Sequence, residues 1–483
     1  MSLSSRNFPP FKYIKGRRFF LPVAFDLGQN GGMRRRLTEE WVMFISILKW
    51  FVLATITGAI VGLSTTAFLK LLNLSTEVCG DYTYYFFLLP AALFTSALMI
   101  KYLAPDAEGH GTEKVIEAVH KNSGKIKPIV VPIKLVATII TLALGGSVGK
   151  EGPCAQIGAS LSSIFADLLK LDDHDRRKLV ICGISAGFAS VFGTPIAGSI
   201  FGIEVLFVGS ILYEVLLPSF IAGITAYQIS YSLGIRYFYH PISFVPVFSE
   251  AFFIKVALAG IFFGICSFLL VEMLKSGKKL SERLSFWMPL KGLIGGVILV
   301  GLALIFSKQY LGLGLETIQN SLRGGKTVWY AFILKIVFTS ITLNFGGSGG
   351  IVTPIFFVGA TSGTLFAEIM RLDIATFSAI GLVSLLAGTA NTPISASIMA
   401  VELFGPKVAP YAAVACVISF LMTGHRSVYP SQVLAVAKSA SFHVEIGKEL
   451  EEVEAKFEPR DKGLIGRSLG IAKTIKKKWR LRK

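Results

Sequence analysis

The sequence predicts an all-α polytopic membrane protein whose membrane region consists of two copies of one unit. Its 483 residues are 53% hydrophobic and only 16% charged, whereas soluble globular proteins carry about 25% charged residues. The mean hydropathy is +0.63, and several apolar runs reach the roughly 20 residues that span a bilayer. An internal repeat is the third observation. Together these properties exclude a disordered chain and disfavour an ordinary soluble enzyme.

Ten apolar runs follow a polar and basic N-terminal segment. They occupy about 43–73, 85–103, 129–148, 179–207, 211–234, 252–274, 287–307, 328–345, 374–401 and 408–423. Glycine and proline interrupt several stretches, most clearly 145–165 and 346–366. Broken backbone at membrane depth is tolerated only where it is buried in protein or lines a wet cavity. We therefore expect the functional site at these interruptions.

The charge distribution predicts the orientation. Lys and Arg total 48 against 30 Asp and Glu, a net charge of +18. Much of the excess lies in four segments outside the apolar runs: 1–40, 170–178, 275–283 and 460–483. The positive-inside rule puts all four in the cytoplasm, so both termini are expected there. We therefore expect the basic tail to contact anionic membrane lipid, and we expect no nucleic-acid partner.

Two ordered blocks of sequence occur twice. LGGSVGKEGPCAQIGASLSSIF at 144–165 matches FGGSGGIVTPIFFVGATSGTLF at 345–366 with a constant offset of 201. TPIAGSIFGIEVLF at 194–207 likewise matches TPISASIMAVELFG at 392–405, offset by 198. Chance matching of glycine-rich apolar sequence is the alternative, and two blocks at nearly one offset argue against it. The join near 235–250 is poor in Lys and Arg and is expected outside, which favours repeats of inverted topology.

These blocks and the charge map define five segments. They are a basic cytoplasmic N-terminal segment (1–40), a first membrane repeat (41–235), a connecting loop (236–250), a second membrane repeat (251–440) and a basic cytoplasmic tail (441–483).

In both repeats a Gly-Gly-Ser-x-Gly stretch leads through a proline, Pro153 or Pro354, into apolar helical sequence. Proline suits the first turn of a helix, and glycine permits close backbone approach. The pattern predicts two helices that begin inside the membrane, each with about half a positive charge at its N-terminus. Two such ends that face one point would bind an anion. No buried cation is then needed, and a cation would hold the ion too tightly to release it. A pair of kinked spanning helices is the alternative reading.

Glu151 lies at the predicted first turn of the first of these helices, within GKEGP. An ionisable residue at membrane depth is expensive and usually functional. Its carboxylate could occupy the place of an anion, as a tethered competitor that swings aside or is neutralised by a proton. The alternative is a plain capping carboxylate.

GKEGP at 149–153, GIVTP at 350–354, GHGTE at 109–113 and the two TPI…E blocks resemble the CLC chloride channels and chloride/proton antiporters. The resemblance covers most of 43–440. It implies a fold of two inverted repeats with broken helices, a homodimer with one pore per subunit, and chloride as the bound ion. Since only 43 residues follow position 440, we expect a short prokaryotic-type member without C-terminal CBS modules, in the plasma (inner) membrane of a prokaryote.

The resemblance also implies residue roles. Glu151 matches the gating glutamate, Lys150 the basic residue of the outer vestibule, and Glu204 and Glu402 buried structural carboxylates. The anion-binding residues that it implies are His110, Gly152, Gly350, Ile351, Val352 and Tyr429.

Three positions depart from the family pattern. His110 stands where a serine hydroxyl usually meets the anion; an imidazole can donate as well and would add pH sensitivity, or the residue is a packing histidine. Val352 replaces a phenylalanine, which could widen the path. Val205 stands where the antiporters carry a second, internal glutamate. Valine cannot bind a proton, so this position predicts an uncoupled protein.

The sequence therefore predicts a voltage-gated-type chloride channel that conducts passively and is gated by a glutamate. The alternatives are a chloride/proton antiporter and a fluoride exporter, although fluoride-specific members usually have Asn where Lys150 stands. We expect neither enzymatic activity nor an ATP-driven pump, because no catalytic cluster lies in the apolar runs and no Gly-x4-Gly-Lys-Ser/Thr loop occurs. No cofactor or metal is expected, since the five scattered cysteines have no metal-ligand spacing.

Overall fold

The structure, a computed structural model, describes residues 32–237, 239–242, 249–454 and 456–457. Most of the predicted segment 1–40 and the basic tail from 458 onward lie outside these ranges. The described part of the chain is mostly helical, which confirms the predicted all-α class. The helices of the first half are α1 (Gly32–Gly80), α2 (Leu89–Leu103), α3 (Thr112–Lys121), α4 (Val130–Ala143), α5 (Glu151–Leu168), α6 (Asp173–Phe192), α7 (Pro195–Glu204) and α8 (Leu216–Ser232).

The second half repeats this series in the same order. Its helices are α9 (Glu250–Arg283), α10 (Met288–Ile305), α11 (Leu315–Leu322), α12 (Ala331–Asn344), α13 (Val352–Met370), α14 (Ile374–Ala390), α15 (Pro393–Phe404) and α16 (Ala409–Met422). The repeats therefore extend well beyond the two matched sequence blocks. The residue boundaries proposed for the five segments remain predictions.

Five helical segments in the described residues are long and apolar enough to cross a membrane: Thr38–Gly80, Tyr85–Leu103, Glu250–Arg283, Met288–Ile305 and Val352–Met370. Their burial differs strongly. The apolar window of the first is 28% buried inside the protein, whereas that of the last is 83% buried. The α13 helix is therefore surrounded by protein, where broken backbone is permitted.

Four glycines allow the longest helices to pack closely. Gly62 of α1 faces α8, where a Cβ would lie 2.8 Å from the Ala226 carbonyl oxygen. In the second repeat, Gly260 of α9 faces α16 in the same way. Gly58 and Gly264 make equally close contacts with the same two helices. Small residues at both contacts provide the backbone proximity by which helices associate in lipid.

Reciprocal hydrogen bonds show how the repeats face each other. The amide of Ser147 donates to Thr342 Oγ1 and that of Ser348 donates to Thr141 Oγ1, both at 3.1 Å. The equivalent residues Gly149 and Gly350 form an antiparallel bridge. Because equivalent segments run in opposite directions, the predicted inverted topology is confirmed.

Two crossed carboxylates join the repeats at a second place. Glu402 of α15 accepts hydrogen bonds from the amides of Ile196 and Ala197 at the start of α7. Glu204 of α7 accepts those of Ile394 and Ser395 at the start of α15. Each repeat thus supplies the cap that satisfies the first turn of a helix in the other.

The described residues also contain four two-residue strands. β1 (Phe207–Val208) pairs in parallel with β2 (Val433–Leu434), and β3 (Phe442–His443) pairs antiparallel with β4 (Lys456–Phe457). The β1–β2 pair ties the segment after α16 back to the end of α7. It thereby places Tyr429, which precedes β2, against the middle of the protein.

Candidate functional site

The two interrupted stretches have matching backbone conformations. Gly145 and Gly346 have φ of 101° and 100°, values that L side chains rarely adopt. After each glycine the chain turns sharply and enters a helix, α5 at Glu151 and α13 at Val352. Pro153 and Pro354 thus lie in the first turn, where a missing N–H leaves no bond unmade. Both predicted helix starts are confirmed.

Backbone from three segments meets at the start of α5. A Cβ on Gly152 would lie 3.0 Å from the Gly350 Cα and would overlap the His110 carbonyl oxygen. A Cβ on Gly350 would lie 2.6 Å from the Gly152 nitrogen. Only glycine fits at these points, so the GHGTE segment and both helix starts come together in one place.

The Glu151 carboxylate lies across the repeat interface. Its side chain is almost completely buried, and Oε2 accepts a hydrogen bond of 3.1 Å from the Thr353 amide. Oε1 accepts a second bond from the Thr353 hydroxyl. The carboxylate of α5 therefore occupies donors in the first turn of α13, where the helix dipole favours a negative charge.

The other backbone amides at the start of α13 differ in whether they have a hydrogen-bond partner. The Gly350 amide donates to the Gly149 carbonyl oxygen at 2.6 Å. Within the described residues, the amides of Ile351 and Val352 have no hydrogen-bond partner. These two N–H groups and that of Thr353 form a short row of donors next to the Glu151 carboxylate.

Several buried polar atoms without partners belong to the GHGTE segment and to Tyr429. Among the described residues they include Nδ1 of His110, Oγ1 of Thr112, Oε2 of Glu113 and Oη of Tyr429. The hydroxyls of Thr112 and Tyr429 lie close enough to interact with each other. Glu151 and Glu113 are both close enough to act on Tyr429 electrostatically. Such unpaired groups are costly in native proteins and call for a ligand.

The two remaining predicted positions lie at the edges of this region. Lys150 is the residue before α5, and its side chain is partly exposed. Val205 directly follows α7 and is fully buried. The Val205 carbonyl oxygen accepts a hydrogen bond of 2.8 Å from Gln432 Nε2, so that Val205 is tied to the segment that carries Tyr429.

A pair of buried lysines holds the loops before α3 and α11. Lys134 Nζ donates to the carbonyl oxygens of Ala107 and Gly109, at 3.0 and 2.7 Å. Lys335, its equivalent in the second repeat, donates to Tyr310 and Gly312 at 3.1 and 2.8 Å. Both lysines are fully buried. Lys134 also acts electrostatically on His110, so its loop belongs to the candidate site.

Sequence reasoning missed Thr353, Thr112 and Lys134. Thr353 lies inside the GIVTP motif and is the equivalent of Gly152, 201 residues later. The repeat could therefore have identified Thr353 as a site residue. Lys134 also has a signal, because a lysine recurs 201 positions later within an apolar run. No comparable pattern marks Thr112. No group of three or more His, Cys, Asp or Glu side chains within the described residues is arranged to hold a metal ion.

Comparisons with known proteins agree with this architecture. Residues 91–424 match the sequence profile of the family described as voltage gated chloride channel. A chloride/fluoride channel protein of Pseudomonas syringae pv. tomato is 34% identical over 420 residues, which cover 85% of this chain and 92% of the relative. The H(+)/Cl(-) exchange transporter ClcA of Klebsiella pneumoniae subsp. pneumoniae is 25% identical, with 78% of this chain and 84% of the relative covered.

Solved structures show the same fold. A crystal structure of a CLC-type fluoride/proton antiporter superposes with a TM-score of 0.77 at 26% identity, covering 81% of this chain and 99% of that one. A slow cyanobacterial Cl-/H+ antiporter gives a TM-score of 0.67 at 21% identity, covering 77% and 94%.

Proposed function

The chain belongs to the voltage-gated chloride channel family, and we propose that it conducts chloride passively along a path gated by Glu151. The fold is that of the CLC proteins, and the molecule is a membrane protein of this class. The bond between Glu151 and the Thr353 amide is the observation that carries the proposal. A carboxylate bound to helix N-terminal donors stands where a permeating anion would bind.

Gating follows from competition for those donors. While Glu151 is ionised and bound to Thr353, the donors are occupied by a charge that is tethered to α5. When the carboxylate is protonated or moves aside, the donors become available to chloride. The amides of Ile351 and Val352, for which the described part of the chain offers no partner, support a continuous row of such donors. Backbone dipoles bind weakly enough for the ion to leave again.

Passive conduction rests on Val205. Moving protons through a dry apolar region needs titratable groups along the way. The position that resembles the inner proton site of the antiporters is a buried valine whose carbonyl oxygen is bonded to Gln432. Protonation of Glu151 would then gate chloride without carrying protons in a fixed ratio.

Fluoride transport is the second candidate. It is favoured by the names of two similar proteins, the chloride/fluoride channel protein of P. syringae and the CLC-type fluoride/proton antiporter. Lys150, which stands where fluoride-specific members usually have Asn, favours chloride. The donors at the site are amides and hydroxyls, which bind either ion, so the choice between the two halides is a matter for measurement.

Reversal potentials in liposomes test both candidates. The full chain is reconstituted with opposed chloride and pH gradients, and the potential of zero current is measured. We expect the chloride Nernst value at every pH gradient. Uphill proton movement driven by a chloride gradient would refute passive conduction in favour of the antiporter, and a fluoride flux much above the chloride flux would favour the second candidate.

We further propose a homodimer with one path per subunit in the plasma (inner) membrane of a prokaryote. The termini and the basic loops 170–178 and 275–283 would face the cytoplasm, as the positive-inside rule predicts.

A further inference from the structure

We propose that a cavity between α2, α10 and α12 binds an anionic phospholipid, with the phosphate at Lys101 and one acyl chain inside the cavity. The cavity has a volume of about 250 Å³, and its lining includes none of the residues to which the family resemblance assigns a role. Lipid binding is independent of the proposed halide conduction, and only the expected effect on flux rests on that proposal.

Most of the cavity wall is apolar. Ala97 and Ile100 of α2, Met288 of α10 and Leu343 of α12 line it, and these side chains are buried or half-buried. A hydrocarbon chain that lies against such walls is removed from water, which is favourable. The interior of the cavity therefore suits an acyl chain.

Two charged side chains, Lys101 and Glu108, mark the exposed edge of the cavity. Lys101 forms no ion pair within the part of the chain that the structure describes, and its Nζ lies 5.8 Å from the centre of the Tyr102 ring. Glu108 would oppose an anion, but it interacts electrostatically with the buried ammonium group of Lys134. The Lys101 ammonium group is thus available to a phosphate.

Aromatic residues place this edge of the cavity at the membrane surface. Trp287 Nε1 donates a hydrogen bond of 3.1 Å to Tyr102 Oη, and both rings are exposed. They are the sequence neighbours of the lining residues Met288 and Lys101. Trp and Tyr are enriched at the level of the lipid headgroups. The basic segment 275–283 ends just before α10, and basic clusters at a membrane surface attract anionic lipid.

The two repeats differ at the position of Glu108. Lys134 binds the carbonyl oxygens of the residues on either side of Glu108, and Lys335 binds those on either side of Leu311. Glu108 and Leu311 are therefore equivalent. An exposed charged side chain in the first repeat corresponds to a buried apolar one in the second.

This difference explains why the cavity is open. Leu311 packs over Gly145, where a Cβ would lie 3.5 Å from the leucine Cδ1. Gly346, the equivalent of Gly145, instead lines the cavity together with Glu108. Protein interiors are close-packed and rarely leave space of this size empty. The structure thus favours an occupant that takes the place of the missing apolar side chain.

The cavity also touches the backbone that leads to the gate. Gly346 and Gly347 form part of its wall, and the chain continues from them into α13 at Val352. The first turn of α13 supplies the Thr353 amide that binds Glu151. A bound acyl chain would support the turn at Gly346 and hold these donors in place. We therefore expect anionic lipid to raise halide flux.

The test uses the full chain and counts bound phosphatidylglycerol per subunit by native mass spectrometry during a lipid titration. Lys101→Gln removes the charge at the edge of the cavity, and Lys101→Arg retains it. Glu108→Leu fills the cavity with the residue that the other repeat uses, whereas Glu108→Gln removes the same charge and leaves the cavity open. Lys308→Gln is the matched control, because Lys308 is an exposed lysine in the equivalent loop of the second repeat.

We expect Lys101→Gln and Glu108→Leu each to weaken phosphatidylglycerol binding about fivefold, as expected for one lysine near a lipid surface. Lys101→Arg, Glu108→Gln and Lys308→Gln should bind at least as tightly as the wild type. Unchanged binding by Glu108→Leu would overturn the proposal, because the lipid would then lie outside the cavity. An equal loss in Lys308→Gln would also overturn it.

Two further ligands identify what the wild type recognises. Phosphatidylcholine, which has no net charge, should bind several-fold more weakly than phosphatidylglycerol. Inorganic phosphate in excess should not displace the lipid, because it has no chain to place in the cavity. Equal binding of both lipids, or displacement by phosphate alone, would refute an anionic phospholipid as the occupant.

Halide flux in liposomes with and without phosphatidylglycerol measures the effect on conduction. Flux of the wild type should rise several-fold with the anionic lipid, and flux of Glu108→Leu should not respond to it. An equal response of both proteins would overturn the effect of the cavity on the gate. A wild type that binds the lipid but conducts no halide would refute the proposed function and leave the lipid site intact.

Discussion

Glu151 and Thr353 form the contact on which the gate depends. The carboxylate comes from the first repeat and both donors come from the second. Neither side chain could hold this position alone, because the bond exists only where the starts of α5 and α13 meet. The packing of the two repeats therefore determines where the Glu151 carboxylate is held.

Replacing Glu151 with Gln should open the path. The substitution removes the competing charge while nearly preserving shape, so halide flux at neutral pH should rise several-fold and lose its pH dependence. Halide efflux from liposomes at acid and neutral pH measures both effects. Abolished flux in well-folded protein would contradict the tethered-competitor mechanism.

Glu402 supplies the matched control for this experiment. It also binds backbone amides at a helix start, those of Ile196 and Ala197. Glu402→Gln should lower stability by about 1–2 kcal/mol, as expected for a weakened hydrogen bond to a charged group. It should leave the pH dependence of flux unchanged. If both variants changed the pH profile equally, Glu151 would have no special role.

The paired lysines allow a second test of charge at the site. Lys134→Met and Lys335→Met each remove an ammonium group that holds two carbonyl oxygens, so both should lower the thermal midpoint by similar amounts. Of these two lysines only Lys134 acts on His110, so only its loss should weaken halide binding several-fold. Calorimetric titration with chloride measures this difference, and equal affinities of the two variants would contradict it.

Single residues show where sequence reasoning stops. Glu151 could be chosen from sequence because a carboxylate in an apolar repeat is conspicuous. Thr112 could not, since threonine is common in apolar helices and nothing local reveals which hydroxyl lacks a partner. That property appears only when segments distant in sequence are brought together.

At the scale of elements, the starts of α5 and α13 decide whether a site forms at all. Both helix starts were predictable, because glycine-rich turns followed by proline are local signals. The exact depth at which each helix begins could not be predicted, because it depends on the antiparallel bridge between Gly149 and Gly350. The ends of α1 were also missed: the apolar run 43–73 lies within the longer helix Gly32–Gly80. Hydropathy does not show where a helix continues beyond the apolar run, because the added turns are polar.

Gly152→Ala tests the close approach of these elements. Its Cβ would overlap the His110 carbonyl oxygen, and relief of such overpacking typically costs 1–3 kcal/mol. We expect a lower thermal midpoint together with reduced halide flux. Gly301→Ala in α10 is the control, because no atom lies within 4 Å of its Cβ position. A Gly152→Ala protein as stable and active as Gly301→Ala would show that the backbones are farther apart than described.

The whole molecule has a predicted orientation that labelling can measure. Lys279→Cys and Tyr239→Cys, each in a Cys79→Ser background, place exposed thiols in the segment 275–283 and in the join between repeats. A membrane-impermeant thiol reagent should label Tyr239→Cys in intact cells. Lys279→Cys should react only after permeabilisation. The opposite pattern would contradict cytoplasmic basic loops.

The arrangement of the repeats was readable from sequence at this scale. Two ordered blocks of sequence indicated the duplication. The join between the repeats is poor in Lys and Arg and therefore favoured an inverted topology, and the Gly149–Gly350 bridge confirms this topology. The crossed bonds of Glu204 and Glu402 were not readable, because they connect residues about 190 to 206 positions apart. Spacing within one helix gives no information on such contacts.

The crossed bonds between the repeats have a two-fold symmetry. Contacts in which each half makes the same bond to the other are those of a two-fold homodimer. Two separate units paired in inverted orientation could make the same bonds. The two copies in this chain differ at the gate: Glu151 has Val352 as its counterpart, so the gate belongs to one half and its donors to the other. A symmetric chain with glutamate in both copies would place two like charges at one point, and their mutual repulsion supplies a physical reason for the asymmetry.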